Sequence, residues 1–376
     1  MAVYVYARDI SSGEAKRKSE FEVILRDVVA RHSDSGEKSF QAFIKMKKLS
    51  DTTPDDIGGG INLLDLGASG QPPEYWKPLA YLTNLIGFDP NAEECEQLKQ
   101  QKTAFLSQTF LPYAIAGKTG EFTLFQTRSV YCWSLLKPDL EWLRRFTVFD
   151  LFEIEGTQQI TATKLNDVTE LQTIEIDAMK LDTQGLELPI LSAAANMVDR
   201  CILIETETGL SENYHDETTF DQIMQFMLAQ GYGLFAINTN HRVPRSNGFS
   251  GAATNEQILW CEAIWLRDFL RKPPQASLTR EKAIKALCMY ANHGCYSFGL
   301  ETAGYFHRSG LIRDEEFEWM SKDLSFWKFP EARPSLRRRL LRFALDMVPR
   351  RYFGSIAANL NALDGSLHPI NRIARK

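Results

Sequence analysis

At 376 residues, with 44% hydrophobic and 24% charged residues and a formal net charge of -5, the chain has room for one large α/β domain with extensions, or for two domains, around a sizeable core. The mild acidity argues against bulk nucleic-acid binding, which leaves a basic footprint. Met1 to Asp9 hold no apolar core of signal-peptide length, and no run reaches the ~18 to 20 apolar residues of a membrane span, so the chain reads as soluble and cytoplasmic.

Residues 1 to about 57 read as an N-terminal helical segment. Phe21, Val23, Ile24, Val28 and Val29 recur at near-helical spacing before the break Ser33-Asp34-Ser35-Gly36, and a second amphipathic stretch runs from Phe40 to Met46. Gly58-Gly59-Gly60 then punctuates the chain. From 58 to 270, short apolar runs alternate with helical stretches, the pattern of a mostly parallel α/β sheet. The expected strands are Ile61 to Leu66, Leu85 to Asp89, Leu111 to Ala116, Ile174 to Leu181, Cys201 to Thr206, Gly233 to Asn238 and Ile258 to Leu266. Helices are expected after Tyr75, Ala92, Glu187 and Thr218. Near 120–165 the period drops to two, as in Phe122-Thr123-Leu124-Phe125, which predicts a β-hairpin insertion.

Beyond Arg271-Lys272-Pro273-Pro274, residues 271–376 shift to Ala-, aromatic- and Arg-rich helices, a C-terminal helical extension. Within 331–351, seven arginines (Arg333, Arg337, Arg338, Arg339, Arg342, Arg350, Arg351) face only Glu331 and Asp346. On a helix Leu336, Leu340, Ala344 and Met347 share a face opposite Arg338, Arg339 and Arg342. Two readings stand: a helix docked on its own domain with a solvated arginine face, or peripheral contact with an anionic membrane or glycolipid. The six cysteines (95, 132, 201, 261, 288, 295) show no C-x-x-C and no zinc spacing and read as reduced packing residues. No H-x-x-x-H or clustered acid-histidine pattern calls for a metal. His215 and His241 fall in polar loops, as solvated residues or as bases.

Two stretches point to a site. Ile61-Asn62-Leu63-Leu64-Asp65-Leu66-Gly67-Ala68-Ser69-Gly70 is an apolar strand running into small residues, where glycine lets the backbone approach a ligand. About 20 residues on, Ile86-Gly87-Phe88-Asp89 ends in a carboxylate, the spacing at which an acid reaches ribose hydroxyls. A dinucleotide would want a first glycine where Asp65 stands. An acid there suits a ligand carrying a sulfonium and an ammonium, so S-adenosylmethionine fits better than a nicotinamide dinucleotide. The second stretch, Met179-Lys180-Leu181-Asp182-Thr183-Gln184-Gly185-Leu186-Glu187, delivers two carboxylates and an amide at a strand's C-terminal end, where open α/β sheets bind ligands.

With these segments in order, together with Pro112-Tyr113-Ala114-Ile115-Ala116-Gly117, Ser134-Leu135, Ile204-Glu205-Thr206-Glu207 and the closing strand Gln257 to Asp268, residues 60 to 270 resemble the FkbM-type S-adenosylmethionine-dependent methyltransferases. One departure stands out: the family loop reads D-x-G-A-N-x-G, whereas here Ser69 replaces the asparagine and Gly70 comes one place early. The resemblance implies a Rossmann-like class I methyltransferase sheet, mostly parallel with the last strand antiparallel, and O-methylation of a glycan, glycolipid or secondary-metabolite hydroxyl. It implies that Asp65, Gly67, Ala68, Ser69 and Gly70 wrap the methionine half of the cofactor. Asp89 holds the ribose, with Asn91 and Ala114 beside the adenosine.

Asp182 is the candidate base or substrate-orienting group, with Gln184 and Glu205 as further catalytic candidates; the alternative for Asp182 is a cap on the helix starting near Leu186. Glu187 reads as a first-turn dipole partner, and Glu205 equally as a paired structural acid. An NAD(P)-dependent oxidoreductase and a catalytically silent methyltransferase-like binding module remain the competing functions.

Overall fold

The computed structural model describes residues 52–68, 74–101, 103–247, 256–274 and 278–326. The expected N-terminal helical segment lies almost wholly outside the described residues, as does the arginine-rich helix over 331–351.

In chain order the strands and main helices are β1 (Ile61–Leu66), β2 (Thr83–Phe88), α1 (Ala92–Gln100), β3 (Ser107–Leu111), β4 (Ala114–Ile115), β5 (Gly120–Thr127), β6 (Ile154–Thr163), β7 (Ala178–Leu181), α2 (Glu187–Ala193), β8 (Leu203–Gly209), α3 (Phe220–Ala229), β9 (Tyr232–Asn238), β10 (Arg242–Val243), β11 (Gln257–Ile258), β12 (Trp260–Arg267), α4 (Arg280–Asn292), α5 (Tyr296–Arg308) and α6 (Asp314–Phe326). Seven strands form one sheet in the order β3-β2-β1-β7-β8-β12-β9. The pairs from β3 through β8 are parallel, and β12 runs antiparallel to both its neighbours, β8 and β9. A strand order that steps outward from β1 and then restarts on its other side at β7 creates a switch point, where a crevice opens at the strands' C-terminal ends.

The local reasons are legible in the sequence. β1 and β2 each bury all but one of their six residues, as strands covered on both faces do. Asn91 starts α1 by accepting from the Glu93 and Glu94 N–H groups, with those two acids in the first turn and Lys99 in the last. Thr219 and Gln222 form a capping box at the start of α3.

Three expected elements come out differently. The strand over Leu111 to Ala116 is two strands: β3 ends at Leu111, and β4 leaves the main sheet to pair with β6. Pro112 between them has no N–H for a ladder. The helix expected after Tyr75 is a 3-10 helix, Glu74–Leu82, because Pro78 inside it cannot make the α-helical bond. The strand over Ile174 to Leu181 begins only at Ala178. The hairpin insertion is present, β5 against β6 antiparallel, with residues 128–153 carried between them.

Alternation splits the sheet chemically. Leu64, Leu66, Met179, Leu181, Ile204 and Trp265 share one apolar cluster with Ile190 and Leu191 of α2 and Ile223 and Met227 of α3. The intervening residues Asp65, Lys180 and Glu205 lie in register across β1, β7 and β8 on the other face. The Glu74–Leu82 helix approaches that face through Tyr75, whose hydroxyl donates to Glu205. Asn292 at the end of α4 donates to the Tyr75 carbonyl at 2.9 Å.

α4 is pinned near the strands' N-terminal ends by charge. Asp177, fully buried just before β7, takes Lys282 Nζ on Oδ1 at 3.0 Å, Lys285 Nζ on Oδ2 at 2.7 Å and the Asn62 N–H at 2.9 Å. Removing the shared acid takes the carboxylate from the nearly buried Lys285 and leaves Lys282 its bond to Glu175 at 2.8 Å. Asp177→Ala is therefore expected to lower unfolding stability by about 3–5 kcal/mol, read from urea unfolding curves.

Candidate active site

A cavity of ≈ 460 Å³ opens at the C-terminal ends of β1, β2 and β7, between the sheet and the inserted hairpin. Gly67, Asp89, Asn91, Ala114, Asp182 and Gln184 line it, so the structure brings six of the expected site residues together. Asp65, Ala68 and Glu205 do not line it, and Ser69 and Gly70 lie outside the described residues.

The β1 turn is shaped by proximity. The Gly67 and Ala68 N–H groups both donate to the Phe88 carbonyl at 3.0 Å, and the Asp182 N–H donates to the Leu66 carbonyl at 3.0 Å. Gly67 has φ +83°, and a Cβ added there would collide with the Asp182 carbonyl oxygen. Asp89 caps the next turn by accepting from the Asn91 N–H at 2.7 Å. Asn91 Oδ1 serves as the N-cap of α1 while the residue lines the cavity.

Asp65, expected to face the cofactor, instead holds Lys180: its Oδ1 lies 3.3 Å from Nζ, with both side chains largely buried. Register explains the difference, because Asp65 and Lys180 are direct neighbours on β1 and β7 and point to the same face. Lys180 also reaches Asp182 Oδ2 at 3.6 Å. Burial alone would lower the Lys180 pKa, but Asp65 and Asp182 together hold it above its usual value.

Asp182 is not the cap of α2. The N-cap is Leu186, with no side-chain hydrogen bond, and Asp182 instead accepts from Gln184 Nε2 at 2.9 Å on Oδ1. Gln184 sits at φ +54°, a conformation that costs a non-glycine residue about 1–3 kcal/mol unless its surroundings impose it. They do: Ser134 Oγ donates to its carbonyl at 2.7 Å, and the Tyr214 hydroxyl donates to Oε1 at 2.9 Å. The second bond orients the amide so that its NH₂ group faces Asp182.

Glu187 folds this turn from below. Completely buried at the first position of α2, its Oε1 accepts from the Thr183 N–H at 2.8 Å and the Thr183 hydroxyl at 2.9 Å, and its carboxylate meets the Gly185 N–H at 3.2 Å. Burial pushes its pKa up to about 8 in spite of those donors.

The two carboxylates of β8 have different surroundings. Glu205 is buried under the Tyr75 hydroxyl, away from the cavity, and burial followed by Glu262 and Asp65 raises its pKa well above the usual range. Glu207, two residues on and so on the same face, lines the cavity near Asp182. Its pKa is likewise raised well above the ordinary carboxylate value, by burial first and then by Asp182 and Glu262. Period-two alternation already placed both acids on one face; the one nearer the strand's end is the one at the crevice. The cavity also takes Tyr113, from the Pro112–Gly117 segment, and Glu94, Tyr131 and Trp133, which lie outside the quoted motifs.

Neither loop histidine reaches the cavity. His215 is exposed, and His241 stacks on Trp260 with its Nε2 3.3 Å from Glu262. Among the described residues no cluster of acids, cysteines and histidines could hold a metal ion, and no helix is long and apolar enough to cross a membrane. The sheet order, the antiparallel β12 and the crevice at the switch point define a Rossmann-like domain of the class I methyltransferase type.

Residues 70–234 match the family model of the methyltransferase FkbM domain, so the resemblance read from the motifs holds across that span. No curated protein matches the chain. Among solved structures, the chain is similar to magnesium protoporphyrin IX methyltransferase from Synechocystis PCC 6803 (12% identity, 56% of this chain and 71% of that one, TM-score 0.29). It is similar also to a TehB-like SAM-dependent methyltransferase from Corynebacterium glutamicum (11%, 67% and 98%, TM-score 0.26). The N-methyltransferase NodS from Bradyrhizobium japonicum is a third (11%, 56% and 89%, TM-score 0.26). With TM-scores this low the class rests on the chain's own strand order and on the family match.

Two outcomes are expected. Gly67→Ala, which must displace the Asp182 carbonyl at a left-handed position, should cost about 1–3 kcal/mol in urea unfolding. Glu187 binds its proton more tightly folded than unfolded, so its contribution to stability is full below about pH 4.5 and is lost as pH rises through about 8. The urea midpoint of Glu187→Gln should accordingly fall less between pH 5 and pH 8 than that of the unaltered protein.

Proposed function

We propose that this protein is an S-adenosylmethionine-dependent O-methyltransferase acting on a hydroxyl of a glycan, glycolipid or secondary metabolite. One observation carries the cofactor class. The main cavity is lined by Asp89, Glu94, Asp182 and Glu207 and, among the described residues, by no lysine, arginine or histidine; the nearby Lys180 is committed to Asp65 and Asp182. Such a lining repels a pyrophosphate and favours a ligand bearing a sulfonium and an ammonium. This speaks against the nicotinamide reading.

When bound, the cofactor supplies an activated methyl group. The chain's own residues bind, align and deprotonate. Asp89, at the end of β2, is placed to accept hydrogen bonds from a ribose diol, and the side-chain-free Gly67 lets the β1 turn approach the ligand. Asp182 is the group for the acceptor's proton: it would take the hydroxyl hydrogen on a carboxylate oxygen and hold the hydroxyl toward the methyl group that the cofactor would supply, the cofactor leaving as its neutral thioether. Lys180 and Gln184 hold that carboxylate in place, so the alignment exists before the acceptor arrives.

Calorimetric titration with adenosylmethionine tests the cofactor, and the absence of heat from the intact protein would sink this reading. Asp89→Ala is expected to weaken cofactor binding at least about tenfold, the loss of a hydrogen bond to a charged group. Asp182→Asn should keep cofactor affinity within about twofold while kcat falls about 10²–10⁴-fold, the usual worth of a positioned base. A methyl-transfer assay on cell-envelope extracts, following S-adenosylhomocysteine, reads that second effect.

A further inference from the structure

A second, smaller cavity of ≈ 220 Å³ adjoins the first and shares Tyr131, Gln184 and Glu207 with it. Its size is set by what surrounds the C-terminal end of β8: the inserted segment between β5 and β6 contributes Leu151 and Phe152, and β12 contributes Trp260. An apolar cavity of about 150 Å³ holds one benzene molecule, so this chamber has room for a single six-membered ring with substituents.

Its chemistry is selective. Thr208, 2% exposed, forms part of the chamber wall, but its Oγ1 is enclosed by the protein and offers nothing to a guest. The deep acid Glu217 is already satisfied, because it accepts from the Asn213 and Tyr214 N–H groups at 2.5 and 3.1 Å. Glu207 borders both cavities. Among the described residues no lysine, arginine or histidine lines the chamber, so none of them offsets an incoming negative charge. Tyr131, Phe152 and Trp260 supply flat apolar surface on which a ring can lie.

We propose that this chamber is the acceptor subsite and takes one uncharged, hydroxyl-bearing ring, paired with Glu207 and bounded by the aromatic walls. This rests on the methyl-transfer reading for its place in a reaction. A ring held there lies across Gln184 from Asp182, and Gln184 itself touches Asp182 at 2.9 Å, so a hydroxyl projecting past the amide enters the main cavity on the side of the proposed base. The same chemistry could come from a sugar residue or from a phenol. Burial, which keeps the Glu207 pKa well above the usual carboxylate range, is consistent with a neutral guest.

Saturation-transfer NMR on the full chain, with and without adenosylmethionine, tests the chamber directly. One arm uses methyl glycosides of common hexoses and deoxyhexoses, the other mono- and dihydric phenols, each beside its carboxylate counterpart (uronosides and hydroxybenzoates). A neutral member of one arm is expected to bind while its carboxylate counterpart does not, and the arm that responds identifies the source. Leu151→Trp, which fills the chamber from a half-exposed position, should abolish that binding. That variant should not shift the cofactor dissociation constant measured by calorimetry. The subsite is overturned if no neutral ring binds, if the carboxylates bind as well, or if the Leu151→Trp variant binds like the unaltered protein. Ring binding without any cofactor binding would leave the chamber standing and remove the methyl-transfer reading instead.

Discussion

Lys180 is the charge around which the crevice is arranged. It sits on the central strand β7 with Asp65 at 3.3 Å and Asp182 at 3.6 Å, while Glu205 and Glu207 occupy the next strand on the same face. One ammonium group thus serves a row of acids that would otherwise repel one another in a poorly solvated place. Burying a cation is tolerated only when it is paired, and these pairs hold Lys180 charged. They also make Asp65 a partner of Lys180, leaving Asp182, with Asp89 and Glu94, to set the sign of the cavity.

The turn after β7 depends on a second buried acid. Glu187 gathers the Thr183 and Gly185 N–H groups from inside, and this forces Gln184 into its left-handed conformation. The strain there is stabilised by bonds from three directions, through Ser134 in the inserted segment, Tyr214 after β8 and Asp182 itself. Gln184 becomes a fixed wall between two cavities because residues far apart in sequence converge on it. A loop with that many anchors is preorganised, which suits a reaction whose main requirement is alignment.

Away from the crevice, charge is used for attachment. Asp177 ties α4 to the sheet through Lys282 and Lys285, and the buried Arg267 of β12 donates to the carbonyls of Val198, Asp199, Cys201 and Gln230 while lying over the Tyr232 ring at 4.7 Å. Both groups are buried with their hydrogen-bonding capacity largely met, the condition under which a buried charge is affordable. They leave the C-terminal ends of the strands free for the site.

Much of this was legible in the residues alone. Apolar runs alternating with helical periods declare a mostly parallel sheet, and the acid at Asp89 some 20 residues past the glycines, with the Lys180 to Glu187 run, mark the strand ends that form the crevice. The period of two also assigns Glu205 and Glu207 to one face. What sequence spacing could not show is which side chain on a neighbouring strand each of these meets. Only the register of β1 against β7 turns Asp65 toward Lys180, and only the depth of β8 relative to the crevice separates the buried Glu205 from the lining Glu207. The second chamber is invisible to motifs for the same reason: Tyr131, Gln184, Thr208 and Trp260 come from four segments, and tertiary packing alone brings them to one space.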